Sequence, residues 1–427
     1  MRGRAAVATF SVLAGCGGGP PSAQPAHDAG PQPVCVDVAL TPTVPGDEGD
    51  WSWLSNPIVG GLWASDAGVH FAWKAYEVVS TTGNVDSMSD TETRLVLTTI
   101  AADGTASHVV HSPFPPGTEW GHIGEITVAG RADGVFAVGH DWWDGSARPL
   151  RVAIGRVDPP SLGPGVVLPF DGEPLALHTA ATWDGEAFAL HAYGGPVKFT
   201  QYLARVDDQA NVLLPFTPYA VTSVATVERA GYALSTSAAS GQTFLLEPGQ
   251  LPRLSGHLRN GEPLPGTEAG PKVLAATDPL QSYAASVSAR ADASGAWLAW
   301  KQHKPNTFGM MMQRVDNSGM PVGTGVPLPF LPMGSDGIGY AALVSHESSV
   351  VALAPSDKSF YRFVFDGQTL SEFERILTPG GGLRQLNIEA IEHQCEIWLS
   401  YYQADPPQHL RVLKAVPGCI YPTWPTL

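Results

Sequence analysis

Asp292-Ala293-Ser294-Gly295-Ala296-Trp297-Leu298-Ala299-Trp300 and, a short loop later, Gly309-Met310-Met311-Met312-Gln313-Arg314-Val315-Asp316 hold the pattern that decides the fold. A tight Asp-Ala-Ser-Gly turn opens an apolar strand with an aromatic at its middle, and a second apolar strand follows and closes on Arg-Val-Asp. The closing tripeptide recurs as Arg156-Val157-Asp158 and Arg205-Val206-Asp207. One supersecondary unit returning at intervals of tens of residues marks a repeat protein.

Working outward from that stretch, seven strand centres align: Phe71, Phe136, Phe188, Tyr232, Trp297, Val351 and Trp398. Their separations are 65, 52, 44, 65, 54 and 47 residues, which fits one unit with variable loops. Turn signals such as Ala132-Asp133-Gly134 and Trp183-Asp184-Gly185 precede the centres, with a further apolar run before them such as residues 124–129. A third strand follows each centre, at residues 94–100, 150–157, 201–206, 243–246, 309–315, 359–365 and 410–415. Most units add a short fourth run, as at 165–170, 212–216 and 326–330. The expected fold is therefore all-β, a seven-bladed β-propeller with four-stranded antiparallel blades. A single twisted sheet cannot cover its own apolar faces, whereas stacking around an axis covers both. Central strands such as Ala296-Trp297-Leu298-Ala299-Trp300 are accordingly apolar without alternation. The seventh unit has no clear fourth strand, and residues 34–44 alternate without a unit of their own. Joined, they make one blade, so an N-terminal strand is expected to close the ring and remove two sheet edges.

Apolar residues make up 44% of the chain and charged ones 15%, which supplies a core and argues against disorder. The 47 Gly and 38 Pro fall between apolar runs as turn punctuation. Against 24 basic residues stand 40 acidic ones, a net charge of −16, and no cluster of five Lys or Arg occurs. Nucleic acid is excluded as a partner on that ground, because binding phosphates needs a positive face. The acidity suits an exported protein kept soluble by its charge.

The chain opens Met1-Arg2-Gly3-Arg4, continues apolar to Leu13, and reaches Leu13-Ala14-Gly15-Cys16. This resembles the lipobox of bacterial lipoproteins, since basic start, apolar core, small residues and cysteine occur in order. The apolar stretch is too short to span a bilayer as a helix. The resemblance implies removal of residues 1–15 as a signal peptide and lipidation of Cys16 with a diacylglyceryl group and palmitate. Residues 16–427 would carry a charge of −18, since residues 1–15 hold two Arg and no acid. Gly17 after the cysteine is similar to lipoproteins sent to the outer membrane, which implies a lipid-anchored address in the bacterial cell envelope, facing periplasm or exterior. Residues 16–34, rich in Gly, Pro and Ala, read as a flexible tether, and residues 35–427 as the propeller.

Cys35, Cys395 and Cys419 remain, in a compartment where disulfides persist. Cys395 is expected to begin a strand and Cys419 to end the next, with a turn at residues 404–408 between them. That hairpin favours a Cys395–Cys419 bridge. A Cys35–Cys419 bridge stands as the alternative, because residue 35 would begin the neighbouring strand; the odd count leaves one thiol over.

The blade pattern resembles that of bacterial secreted and lipoprotein β-propellers, in which an aromatic strand, a turn and a strand ending Arg-Val-Asp recur. The resemblance covers residues 35–427 and implies a fold but no activity. No zincin, nucleophile-elbow, Walker or dinucleotide motif is present, and the 13 His lack metal-ligand spacing, so no cofactor and no metal are expected. Ser65-Asp66-Ala67-Gly68-Val69-His70-Phe71 resembles the Asp-box turn of sialidase propellers, but it lacks the Thr and Trp and reads as a hairpin turn. Aromatic and imidazole groups gather where the second strands run into their loops: Trp73 and Tyr76, His140 with Trp142 and Trp143, His191 and Tyr193, Trp300 and His303, Tyr401 and Tyr402. Two expectations follow. These residues either present one face to a partner protein or glycan, or they pack half-buried between blades. The polar loop 76–93 is a further contact on the same side. A non-catalytic, membrane-anchored binding or assembly scaffold is the expected role. The alternative is a propeller hydrolase or lyase acting on extracellular polysaccharide or peptide from the axial funnel.

Overall fold

The computed structural model describes residues 35–40, 51–52, 61–77, 93–111, 122–143, 150–168, 178–194, 199–222, 233–247, 252–268, 272–274, 284–304, 307–328, 342–346, 349–356, 359–365, 374–377, 389–403 and 409–415. Residues 1–34 with Cys16, the loop 78–92, the turn 404–408 and Cys419 lie outside them. Within the described residues the chain forms thirty strands, one short 3-10 turn at Pro265–Thr267 and no α-helix. The strands make seven separate sheets, antiparallel in every pairing, and the protein is a seven-bladed β-propeller.

Blade I is Gly61–Ser65, Gly68–Glu77, Thr93–Ile100 and Ala106–His111, with Trp51–Ser52 also paired to Gly68–Glu77. Blade II is His122–Gly130, Val135–Trp143 and Leu150–Arg156, with Ser161–Leu162 and Val166–Val167 outermost. Blade III runs His178–Trp183, Phe188–Gly194, Phe199–Val206, Val212–Thr222, and blade IV Ala233–Thr236, Thr243–Glu247, Arg253–His257, Lys272–Val273. Blade V is Ala284–Asp292, Gly295–Lys304, Thr307–Asp316 and Pro321–Leu328, and blade VI Ala342–His346, Ser349–Ser356, Ser359–Phe365 and Glu374–Leu377. Blade VII joins Glu389–His393, Glu396–Gln403 and His409–Lys414 to the N-terminal strand Asp37–Leu40, in register Asp37 to Leu413 and Leu40 to Leu410. The first strand of each blade packs on the first strand of the next, and Glu389–His393 packs on Gly61–Ser65.

Three expectations are corrected. Blades I and II carry five strands rather than four, because one strand position in each is split. In blade II the break falls at Gly163-Pro164-Gly165, where Pro164 has no N–H to give the ladder. Blade IV slips by one strand: residues 233–236 are its innermost strand, and its second strand is Thr243–Glu247, centred on Phe244. Phe188 to Phe244 is 56 residues and Phe244 to Trp297 is 53, so the true spacing is more even than the alignment on Tyr232 allowed. Cys395 does not begin a strand. It sits with Gln394 in the hairpin turn before Glu396, both at positive φ (51° and 63°), the geometry a two-residue primed turn demands. Cys35 and Cys395 are both disulfide-bonded.

The Arg-Val-Asp signature has a structural cause for each of its residues. Val157, Val206 and Val315 are buried in the packing between blades. Arg314 clasps Asp292 of the preceding hairpin turn with two hydrogen bonds of 2.7 Å and lies over the Trp297 ring, and Arg205 reaches Asp184 in the same way at 2.7 Å. Asp316 accepts the backbone N–H groups of Ser318 (2.8 Å) and Met320 (2.9 Å), and Asp207 those of Gln209 and Asn211, which turns the third strand into the fourth. Arg156 departs from the pattern, since Arg131 takes the equivalent Asp133. Gly295 opens its strand at φ +142°, and a Cβ there would collide with the Val315 carbonyl oxygen, so the hairpin admits only glycine.

Apolar clusters fill the seams between blades. Trp63, Leu97, Ile126 and Phe136 join I to II; Val152, Phe188, Leu190 and Val206 join II to III. Phe244, Leu246, Leu254, Leu298, Trp300 and Met311 join IV to V. Leu399, Tyr401 and Val351 join VI to VII, and Phe71, Trp73, Trp398 and Val36 join VII to I. Each fully buried side chain of this kind contributes about 1.5–3 kcal/mol.

Candidate functional site between blades III and IV

Four of the residues expected on a ligand face are interior. Trp73 is 2% exposed and donates its indole N–H to Thr98 Oγ1 at 3.0 Å within the VII–I seam. Trp300 belongs to the IV–V core and Tyr401 to the VI–VII core, each 1% exposed. They lie mid-strand in sheets covered on both faces, so packing claims them. His191 is 2% exposed and enters the seam described next. Tyr76, His140, Trp142, Trp143, Tyr193, His303 and Tyr402 lie on strands, and their side chains are outside the described structure.

Blade IV has two unlike faces, written in alternate residues of Thr243-Phe244-Leu245-Leu246-Glu247. Phe244 and Leu246 enter the apolar core toward blade V. On the opposite face Thr243 pairs with His257, Leu245 with Ser255 and Glu247 with Arg253. Blade III meets that face with His191 opposite Leu203 and with Gln201, two residues further along the strand.

The two polar faces interlock. His191 stacks on His257 with ring centroids 5.1 Å apart and planes 26° apart, and Tyr219 sets its ring edge against both at 6.1 and 4.8 Å. The Tyr219 hydroxyl donates to Gln201 Oε1 at 2.9 Å, and Gln201 Nε2 donates to Glu247 Oε1 at 2.7 Å. His257 Nδ1 donates to the Leu258 carbonyl at 2.8 Å, which leaves its Nε2 an acceptor in the neutral ring. Nearer the axis, hydroxyls run from Thr182 to Thr236 to Thr243 at 2.7 and 2.8 Å. At the hairpin end, buried Asp184 pairs with Arg205, and Arg259 of blade IV donates to its backbone carbonyl at 2.8 Å and pairs with Glu186.

Burial dominates the electrostatics. It pushes the Glu247 carboxyl up to about 7, against the Gln201 hydrogen bond and the Arg253 charge. It pulls His257 down to about 4 and His191 well below the ordinary imidazole value, the latter helped by His257. Both ring nitrogens of His191, Nε2 of His257, Oε2 of Glu247 and Oγ of Ser255 have no hydrogen-bond partner among the described residues. Each such buried atom costs about 1–3 kcal/mol. Shifted titrations and unmet polar atoms in one cluster mark a candidate site. No three His, Cys, Asp or Glu converge as metal ligands among the described residues.

A second group lies on the innermost strands. Burial pushes Glu389 up to about 7, opposed by the backbone N–H of Leu62 on the adjoining blade. Arg290 donates to Ser345 Oγ at 3.3 Å and feels the charges of Glu392 and Asp292.

Sequence reasoning named His191 for another reason and missed His257, Tyr219, Gln201 and Glu247. They come from four strands of two blades, and no spacing links them. The legible signal was the pair of polar residues Thr243 and Glu247, four apart and so on one face, in an otherwise apolar strand.

No family model and no curated protein matches the chain. Solved structures do. Trypanosoma rangeli sialidase in complex with the inhibitor DANA matches with a TM-score of 0.46 and 9% identity over 84% of this chain and 55% of that one. The chain thus spans about half the length of that sialidase. A protein of unknown function from Dyadobacter fermentans matches with a TM-score of 0.46 and 12% identity over 85% and 96% of the two chains. The WD40 domain of Toxoplasma gondii coronin matches with a TM-score of 0.47 and 11% identity over 87% and 90%.

Proposed function

We propose that this protein is a scaffold of the bacterial cell envelope, held to the outer membrane through lipidated Cys16 and the tether 16–34, that binds an envelope protein or a glycan on one propeller face and catalyses no reaction. One observation carries the binding role. The penultimate residue of the second strand is Tyr76 in blade I, Trp142 in blade II, Tyr193 in blade III, His303 in blade V and Tyr402 in blade VII. All five strands leave a hairpin turn on one side and end on the other, so one side of the ring collects amphipathic rings. The Asp37–Leu40 pairing supports a ring closed by the N-terminal strand, with blade VII four-stranded. A closed ring would hold those strand ends at fixed spacing.

The lipid anchor is tested by labelled palmitate: incorporation is expected in the parent and absent in Cys16→Ser. The binding face is tested by a Trp142→Ala, Trp143→Ala double variant against peptidoglycan fragments, extracellular polysaccharides and cross-linked envelope proteins. A folded variant that keeps every interaction of the parent refutes it. The hydrolase alternative draws on Glu389, whose raised carboxyl on an innermost strand suits a general acid. Polysaccharide or peptide cleavage by the parent that Glu389→Gln abolishes would establish it in place of the scaffold.

A further inference from the structure

We propose that the seam between blades III and IV is where this ring opens, and that the trigger is loss of the Glu247 proton. The carboxyl is 2% exposed and has one donor in place, Gln201 Nε2 on Oε1, while Oε2 has no partner among the described residues. That environment suits an acid, which needs few partners, and not a carboxylate, which needs several donors once removed from water. Gln201 is itself oriented by Tyr219, so its second N–H cannot swing freely toward the other oxygen. From blade III, Gln201, Tyr219 and neutral His191 face the cluster. From blade IV come Arg253, Ser255 and His257, and Asp184 and Arg205 lie toward the His257 end. Among the described residues Arg253 is the cation acting on Glu247, and its attraction is smaller than the burial cost it opposes.

An ionised Glu247 therefore requires water, which reaches it when the blades part. Parting costs less at this seam than at IV–V. Its described contacts are hydrogen bonds, stacked imidazoles and the Arg259 pairs with Asp184 and Glu186, which water replaces at small net loss, with Leu203 and Leu245 as the buried apolar members of the two faces; several of its polar atoms gain partners on opening. Opening the IV–V seam instead would expose Phe244, Leu246, Leu298 and Trp300. Because the folded carboxyl titrates near 7 against an ordinary 4.5, its contribution is complete below about 4.5 and is lost as pH rises through about 7.

Hydrogen exchange of the full chain tests this, with rates divided by intrinsic amide rates at about pH 5.5 and about pH 8. Strands Phe188–Gly194, Phe199–Val206, Thr243–Glu247 and Arg253–His257 should open roughly tenfold more at the higher pH, the effect of about one unit of proton affinity. Strands Gly295–Lys304 and Thr307–Asp316 should not change. Glu247→Gln, which keeps the shape and has no proton to lose, should give no pH response in either set. Equal pH responses in the two sets of the parent protein overturn the proposal whether or not the variant folds, and so does a response that survives in Glu247→Gln.

Discussion

Blade IV meets its two neighbours through alternate residues of the same strands, and the two contacts are made of different materials. Toward blade V, Phe244 and Leu246 lock into Leu298 and Trp300. Toward blade III, Thr243 and Glu247 enter a mesh of hydroxyls, imidazoles and amides. Five other described seams have apolar clusters or an edge-on aromatic pair such as Trp297 with Phe365 at 5.0 Å between V and VI. Repetition thus constrains blade geometry far more than it constrains what fills the space between blades. Apolar packing does not titrate and is insensitive to pH, whereas a buried polar mesh carries its protonation state as part of its structure.

The sharpest break is expected from the apolar side. Leu298→Ala leaves a cavity in a fully buried site and should cost about 2–5 kcal/mol in denaturant unfolding at any pH where the protein is folded. On the polar side, Asp184→Ala removes the carboxylate held by Arg205 and the cap on the N–H groups of Glu186 and Ala187. A loss of about 3 kcal/mol is expected, at the low end for a broken buried pair because Arg205 and Arg259 keep some contact with water.

Glu247→Gln should be nearly neutral at about pH 5 and stabilising by about 2 kcal/mol at about pH 8, since it removes the loss that the parent suffers as pH rises through about 7. The imidazoles act in the opposite sense. His257, lowered to about 4, contributes stability that is complete above about 6.5 and lost as pH falls through about 4. Unfolding midpoints measured across that range separate the two limbs. Leu213→Ser, on the outer strand of blade III and 52% exposed, should shift stability by less than about 0.5 kcal/mol and sets the floor for the comparison.

The blades were readable because burial writes itself into composition. A strand covered on both faces is mostly apolar, and in Arg-Val-Asp the Val packs between blades while Arg205, Arg314, Asp207 and Asp316 serve contacts within their own blade. Blade IV misled because its second strand follows its turn with Thr-Phe-Leu-Leu-Glu, while Tyr232 just ahead of the innermost strand imitated a centre. The binding face was less legible. Trp73, Trp300 and Tyr401 carry the same side chains as residues nearer the strand ends, and amphipathic rings do not declare which end of a strand they occupy. Asp184 read as a turn residue; its ties to Arg205 and Arg259 depend on how close blade IV comes, which no local pattern encodes. The His191–His257–Glu247 cluster depends on the same approach.

The strand Asp37–Leu40 has a consequence for how the molecule is made. Its partner, His409–Lys414, is made only after the strands of blades I to VI, so Asp37–Leu40 waits unmatched while they are synthesised. Contacts this far apart in sequence form late and slowly. Blade VII cannot be completed before blades I to VI have been made, and until then its unpaired strand edges stand open to strangers.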